Sequence, residues 1–184
     1  LMKGATVSDV GSVKGAVVRD MAPHLPAGVH FVPAHPVAGT ENSGPDSGFP
    51  ELFVNRWCIL TPPAGTDEAA VEKLASFWRA LGANVESMPP DHHDLVLAVT
   101  SHLPHLVASL LAAVTPRELL QLTAGGWLDS TRIAAGDVTL WQQILLDNRD
   151  AVLTALARFE TDLALWRNAL EQRDASALKQ LLQQ

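Results

Sequence analysis

Two adjacent prolines, Pro89 and Pro90, separate stretches whose apolar patterns demand different architectures. Before them, short apolar runs of strand length recur between turn residues: 5–10 (ATVSDV), 29–34, 57–61 (WCILT) and 84–88. Residues 13–21 read as a helix with Ser12 at its N-cap, closed by Pro23 and Pro26. Val71, Leu74, Phe77, Trp78 and Leu81 recur at helical spacing, with Thr66 or Asp67 as cap and Gly82 as stop. Alternating strand and helix predicts a parallel α/β sheet. After Pro90 no run of strand length follows. Residues 91–114 read as one long helix, apolar nearly all round and kinked at Pro104. Shorter helical pieces cover 116–122, 129–134, 139–148 and 174–184, and Gly125 and Gly126 read as a break. Val152, Leu156, Phe159, Leu163, Trp166 and Leu170 alternate steps of four and three, a seam that must pack on another helix, in this chain or a partner. The expected fold is therefore α/β followed by all-α, divided into 1–89 and 90–184.

At 184 residues the chain suits one ordinary domain or two small ones. Its net charge of -7, with no basic stripe, argues against nucleic acid as a partner. A single cysteine, Cys58, rules out an internal disulfide and suits a reducing compartment such as the cytoplasm. Cys58 lies in an apolar run and reads as a buried, inert thiol. No basic-plus-apolar signal peptide opens the chain, and the direct entry into a strand-like segment reads as a cut through a larger protein. Residues 95–114 are apolar enough to raise a membrane span, but Thr100, Ser101, His102, Pro104, His105 and Ser109 would be costly in lipid. The expectation is a buried helix and no membrane.

Several residues carry chemistry. His35 opens the loop 35–44 (HPVAGTENSG) just past a strand-like run. It is either a turn histidine or an imidazole presented at a sheet edge, where open α/β sheets bind ligands. Lys14 reads as a solvated helix residue. Ser101 and His105 stand four apart and His102 and His105 three apart, so they share a face of an apolar helix and need partners. They are core histidines bonded to backbone or to Asp94, or parts of a metal cluster with His92 and His93; the spacing matches no closed structural zinc pattern. Arg132, in TRIA (131–134), suits a carboxylate clamp or an ion pair with Asp129 or Asp137. Trp141 alone reads as a core aromatic. No G-x-G-x-x-G opens a helix, and no acidic residue stands at ribose-binding distance.

Taken in order, 9–14 (DVGSVK), 35–44, 101–105 (SHLPH) and TRIA followed by Leu140 and Trp141 resemble the prephenate/arogenate dehydrogenases. These are NAD(P)-dependent oxidoreductases of tyrosine biosynthesis. The resemblance runs over nearly the whole chain but lacks the family's amino-terminal Gly-rich fingerprint. It implies that 1–89 is the carboxyl-terminal portion of a Rossmann-like dinucleotide-binding domain and 90–184 a helical substrate-binding and dimerisation domain. It implies oxidative decarboxylation of prephenate or arogenate with NAD or NADP, in a homodimer, with no metal. His35 would hydrogen-bond the substrate's ring hydroxyl, with Ser12 beside it. Ser101 and His105 would stand between substrate and cofactor, and Ser12 and Ser101 would touch the cofactor. Arg132 would hold the ring carboxylate, Trp141 would line the pocket, and Gly125 would reach the neighbouring subunit's site. Two rival readings are a dimerisation and substrate-binding module without cofactor binding, and a metal-dependent hydrolase built on the histidines.

Overall fold

The structure is a computed structural model and describes residues 1–39 and 44–184. Thr40, Glu41, Asn42 and Ser43, part of the loop read above, lie outside the described residues.

Among the described residues, five short strands build the first half: β1 (Thr6–Val7), β2 (His30–Phe31), β3 (Ala34–Val37), β4 (Trp57–Leu60) and β5 (Asn84–Ser87). β1 pairs with β2, and β4 with β5, in parallel; β3 and β4 run antiparallel. The antiparallel pair follows from its connection, whose described part holds one 3-10 turn, Pro45–Ser47, in place of a crossover helix. Pro33 interrupts what is nearly one strand from β2 to β3. The Val32 N–H donates to the Val7 carbonyl and the Thr61 N–H to that of Pro33, so the two ladders meet there. Helix α1 (Gly15–Met21) follows β1, and α2 (Glu68–Ala80) lies between β4 and β5. Asp67 caps α2 by accepting from the Ala70 N–H, while the Thr66 hydroxyl instead closes the preceding turn onto Pro63. Gly82, at φ +87°, ends it in the left-handed region. Val32, Ala34, Cys58 and Leu60 pack against Ala70, Ala75 and Trp78 to form this half's core. Burial pushes the Cys58 thiol up to about 12, with the Lys14 charge opposing, so it is an inert core thiol as read.

α1 starts later than its sequence suggests, and Ser12 does not cap it. The Asp94 carboxylate does, with Oδ1 accepting from the Lys14 N–H at 2.9 Å and Oδ2 from the Gly15 N–H at 2.8 Å. A carboxylate satisfies two orphan donors and the helix dipole at once, which a hydroxyl cannot.

In the second half, α3 (Pro90–Leu97) and α4 (Leu103–Val114) are joined by a π-helical turn, Ala98–His102. The expected kink takes this form because Pro104 has no N–H to donate; the Leu103 N–H reaches five residues back to the Ala98 carbonyl. The 25-residue helical stretch Pro90–Val114 contains an 18-residue window of mean hydropathy 1.7, long and apolar enough to span a membrane. It also carries buried, hydrogen-bonded His93, Asp94 and His102. A 3-10 turn (Arg117–Leu122), α5 (Gly125–Thr131), a second 3-10 turn (Arg132–Ala135), α6 (Val138–Asp147), α7 (Arg149–Glu171) and α8 (Ala175–Leu182) complete the half. Gly125 and Gly126 are not a break: they open α5, because the preceding Ala124 is already extended and ends the turn before them.

Ala98, Val152 and Ala155 form a second core, and Val13, Ala16 and Ile144, with Trp141 against them, tie α1 to the helical half. Along the α7 seam Val152 is buried, but Leu163 is 55% and Leu170 61% exposed. The chain exposes 12223 Å², whereas a compact folded monomer of 19.7 kDa exposes roughly 8,600 Å² by mass scaling.

Candidate active site

The site grows from the seven residues that follow β1, 8–14. The Asp9 carboxylate accepts from the Gly11 N–H at 2.8 Å and from the Ala34 N–H at 3.3 Å. Lys14 is not solvated: it is fully buried, its Nζ paired with Asp9 and donating to the Ala34 carbonyl at 2.8 Å. Burial lowers its pKa, and Asp9 opposes that shift. Asp9 and Lys14 thus grip both backbone polar groups of Ala34, the residue before His35.

His35 stands inside β3, opposite Ile59, rather than in the loop that follows. The strand runs on through Pro36 because β3 is an edge of its three-stranded sheet, where a missing N–H costs no ladder bond. Its ring is buried, with the residue 7% exposed. Nδ1 lies 2.8 Å from Nε2 of His93, which is fully buried on α3, and the rings meet edge-on with centroids 5.1 Å apart. His93 Nδ1 in turn lies 2.8 Å from Asp94 Oδ1, the carboxylate that caps α1. Asn148, between α6 and α7, donates from Nδ2 to the Asp94 carbonyl at 2.8 Å and to His102 Nδ1 at 3.1 Å. His102 meets the edge of Trp141, which stacks on His105 at 3.5 Å between centroids. Gly136 makes room for that stack, since a Cβ there would lie 2.6 Å from Trp141 Nε1. His105 Nδ1 is buried with no hydrogen-bond partner among the described residues.

Burial, then the charges His93, Lys14 and His102 would present, push the His35 pKa down to about 3. Burial likewise takes His102 to about 4. It lowers His105 too, against the pull of the Ile133 carbonyl. Burial works against the Asp94 charge, but His93 and the Lys14 and Gly15 N–H groups outweigh it and hold Asp94 below the usual carboxylate range. At neutral pH His35, His102 and His105 are therefore neutral imidazoles.

The structure brings His35, His105 and Trp141 of the anticipated residues into one connected group. Ser12 is half-buried in the turn before α1, and Ser101 half-buried in the π-helical turn. Arg132 is exposed on the 3-10 turn packed against α4. Gly125 is exposed, with open space about its Cα, and stands outside the group. No three potential ligands gather into a metal site among the described residues. Nothing in the sequence around His93, Lys14 or Asn148 announces their places in this group, because each meets partners distant in the chain.

Two family models match the chain: the nucleotide-binding domain of prephenate dehydrogenase over residues 1–87, and the prephenate dehydrogenase dimerization domain over 89–184. The cyclohexadienyl dehydrogenase of Zymomonas mobilis is 42% identical over 185 residues, 97% of this chain and 63% of the relative. The structure of Aquifex aeolicus prephenate dehydrogenase in complex with hydroxyphenyl propionate and NAD+ superposes with a TM-score of 0.86 at 36% identity, over 100% of this chain and 66% of that one. Synechocystis arogenate dehydrogenase gives 0.84 at 29% identity, over 100% and 68%. The chain thus spans about two thirds of the length of these relatives.

Proposed function

The chain belongs to the prephenate dehydrogenase family, and from that premise we propose that it carries the substrate-facing part of an NAD(P)-dependent oxidative decarboxylase. The substrate is prephenate or arogenate, a cyclohexadienol with a ring carboxylate; the product is 4-hydroxyphenylpyruvate or tyrosine. The observation that carries the reading is the buried imidazole of His35, held neutral where the sheet half touches α3.

The reaction removes a hydride from the hydroxyl-bearing ring carbon while the carboxylate leaves as carbon dioxide, and aromatisation drives both. A nicotinamide, when bound, supplies the hydride acceptor. Neutral His35 accepts a hydrogen bond from the substrate hydroxyl and polarises it as the hydride leaves; any proton it draws off returns to the oxygen as the ring becomes a phenol. Ser12 steadies that hydroxyl and faces the cofactor. Ser101 and His105 fix the ring, and Trp141 covers the apolar wall. Arg132 anchors the ring carboxylate, a bidentate task for a guanidinium. The unpartnered Nδ1 of His105 is a buried polar atom of the kind a bound molecule completes. The residues present thus fit the reactive end of such a cofactor through Ser12 and Ser101, and no glycine-rich loop within 1–184 offers itself to the pyrophosphate. The large exposed surface and the bare leucines of α7 support a homodimer through the helical half, with Gly125 directed at the neighbouring subunit.

Steady-state kinetics of the complete enzyme, with prephenate and arogenate and with NAD+ and NADP+, test this. His35→Asn is expected to lower kcat by about 10²- to 10⁴-fold with little change in KM, the cost of a lost general base. Arg132→Ala is expected to raise KM about 10- to 100-fold while kcat holds, as for an anchor that binds ground and transition states alike. A near-normal kcat in His35→Asn contradicts the hydroxyl-accepting role. A collapse of kcat at unchanged KM in Arg132→Ala contradicts the anchor.

A further inference from the structure

We propose that His93 and Asp94 are positioning residues that fix the tautomer of His35, leaving its Nε2 unprotonated toward the substrate. The proposal rests on the reading of His35 as the group that accepts the substrate hydroxyl.

Three donors converge on the Asp94 carboxylate: the N–H groups of Lys14 and Gly15, and His93 Nδ1. Backbone amides have only a proton to offer, and a carboxylate bonded to two of them is an acceptor. The 2.8 Å contact from His93 Nδ1 therefore requires a proton on that nitrogen. A neutral imidazole protonated at Nδ1 carries a lone pair at Nε2. In the proposed relay His93 carries that one proton, its lone pair faces His35 Nδ1 at 2.8 Å, and His35 Nδ1 is the donor. The remaining nitrogen of the neutral His35 ring, Nε2, on the side away from His93, is then a bare acceptor. Free histidine has no such constraint.

The other charged or titratable groups near His35 are committed elsewhere. Lys14 Nζ is held by Asp9 and the Ala34 carbonyl, and His102 Nδ1 accepts from Asn148. The carboxylate that orders the relay is also the cap of α1, so the docking of α1 on α3 and the tautomer of the sheet-half histidine are set by one group. Neither His93 nor Asp94 needs to touch substrate for this.

Neutron diffraction from crystals of the complete enzyme at neutral pH reads the ring protons directly. The expected map has deuterium on Nδ1 and none on Nε2 for both His35 and His93. Deuterium on His35 Nε2 overturns the proposal whatever the activity. In solution, His93→Phe removes the acceptor for His35 Nδ1; kcat is expected to fall by roughly 10- to 10⁴-fold, the upper figure being the cost of a wrong tautomer in a catalytic triad. KM is expected to stay within a factor of about three, since the substrate anchors are untouched. His93→Gln, whose amide oxygen can accept at the Nε2 position, is expected to restore most of kcat; a structural role alone would not distinguish the two. A wild-type kcat in His93→Phe, or a His93→Gln variant folded yet as slow as His93→Phe, overturns it. The neutron map does not depend on turnover: bare Nε2 with an active His35→Asn variant removes the proposed function and leaves the relay standing.

Discussion

The two halves of this molecule reach stability by different means. The sheet half has a core of its own, with Val32, Cys58 and Leu60 fully buried and Lys14 partnered within its own segment and β3, although α1 also docks on the helical half. The helical half is unfinished as a single chain. Its ion pair Arg149–Asp150 lies in water, and Leu122, Leu163, Leu165 and Leu170 stand more than half exposed. The catalytic candidate sits in the sheet half and the proposed substrate anchor, Arg132, on the helical one. A fixed base needs a rigid, water-poor setting, whereas a site for an exchangeable substrate needs an edge that assembly can complete.

The sharpest way to break that comparison is to place charge on each half's exposed apolar surface. Leu163→Glu with Leu170→Glu in the complete enzyme is expected to weaken self-association at least about a hundredfold, as for loss of a buried interface cluster. Phe77→Glu, on the exposed side of α2, is expected to leave the sedimentation coefficient unchanged. Equal behaviour of the two variants would erase the distinction. A smaller effect separates the two ion pairs. Lys14→Met leaves Asp9 without its partner and is expected to cost about 3 kcal/mol in urea unfolding, the lower end for a broken buried pair because Asp9 keeps 24% side-chain exposure. Arg149→Ala is expected to leave the unfolding midpoint where it was. A Lys14→Met protein as stable as its parent would show that the buried pair contributes nothing net.

Much of this architecture was legible in the residues because local signals and tertiary outcome agree. Asp67 caps α2 and Gly82 ends it, and the runs around Cys58 and Val85 become the paired strands β4 and β5. The readings that failed did so where a distant group overrides a local rule. Ser12 is a good cap by composition, but a carboxylate 79 positions beyond Gly15 takes the task. Lys14 is buried because Asp9 and a carbonyl from β3 surround it, and a spacing of five residues in a loop does not announce that. His35 reads as a loop residue in sequence because Pro, Gly and polar residues follow it, yet Pro36 is tolerated on an edge strand. His93 meets His35 across 58 positions, and the one local hint was a histidine beside an aspartate at the start of an apolar helix. The oxidoreductase family was legible from four short motifs spread in order along the chain.

The claim on which the account turns is that burial against α3 keeps the His35 imidazole uncharged. Isotope-labelled NMR of the complete enzyme, following the His35 ring through a pH titration, tests it most directly. The account predicts an unprotonated ring with no titration step from about pH 8 to about pH 5, consistent with a native pKa near 3. An unfolded histidine takes its proton near 6.5, so the stability this group confers is full above that pH. It falls as pH drops from there toward 3, by up to about 1.4 kcal/mol per pH unit. A His35 titration centred near 6.5 in the folded enzyme would contradict the account.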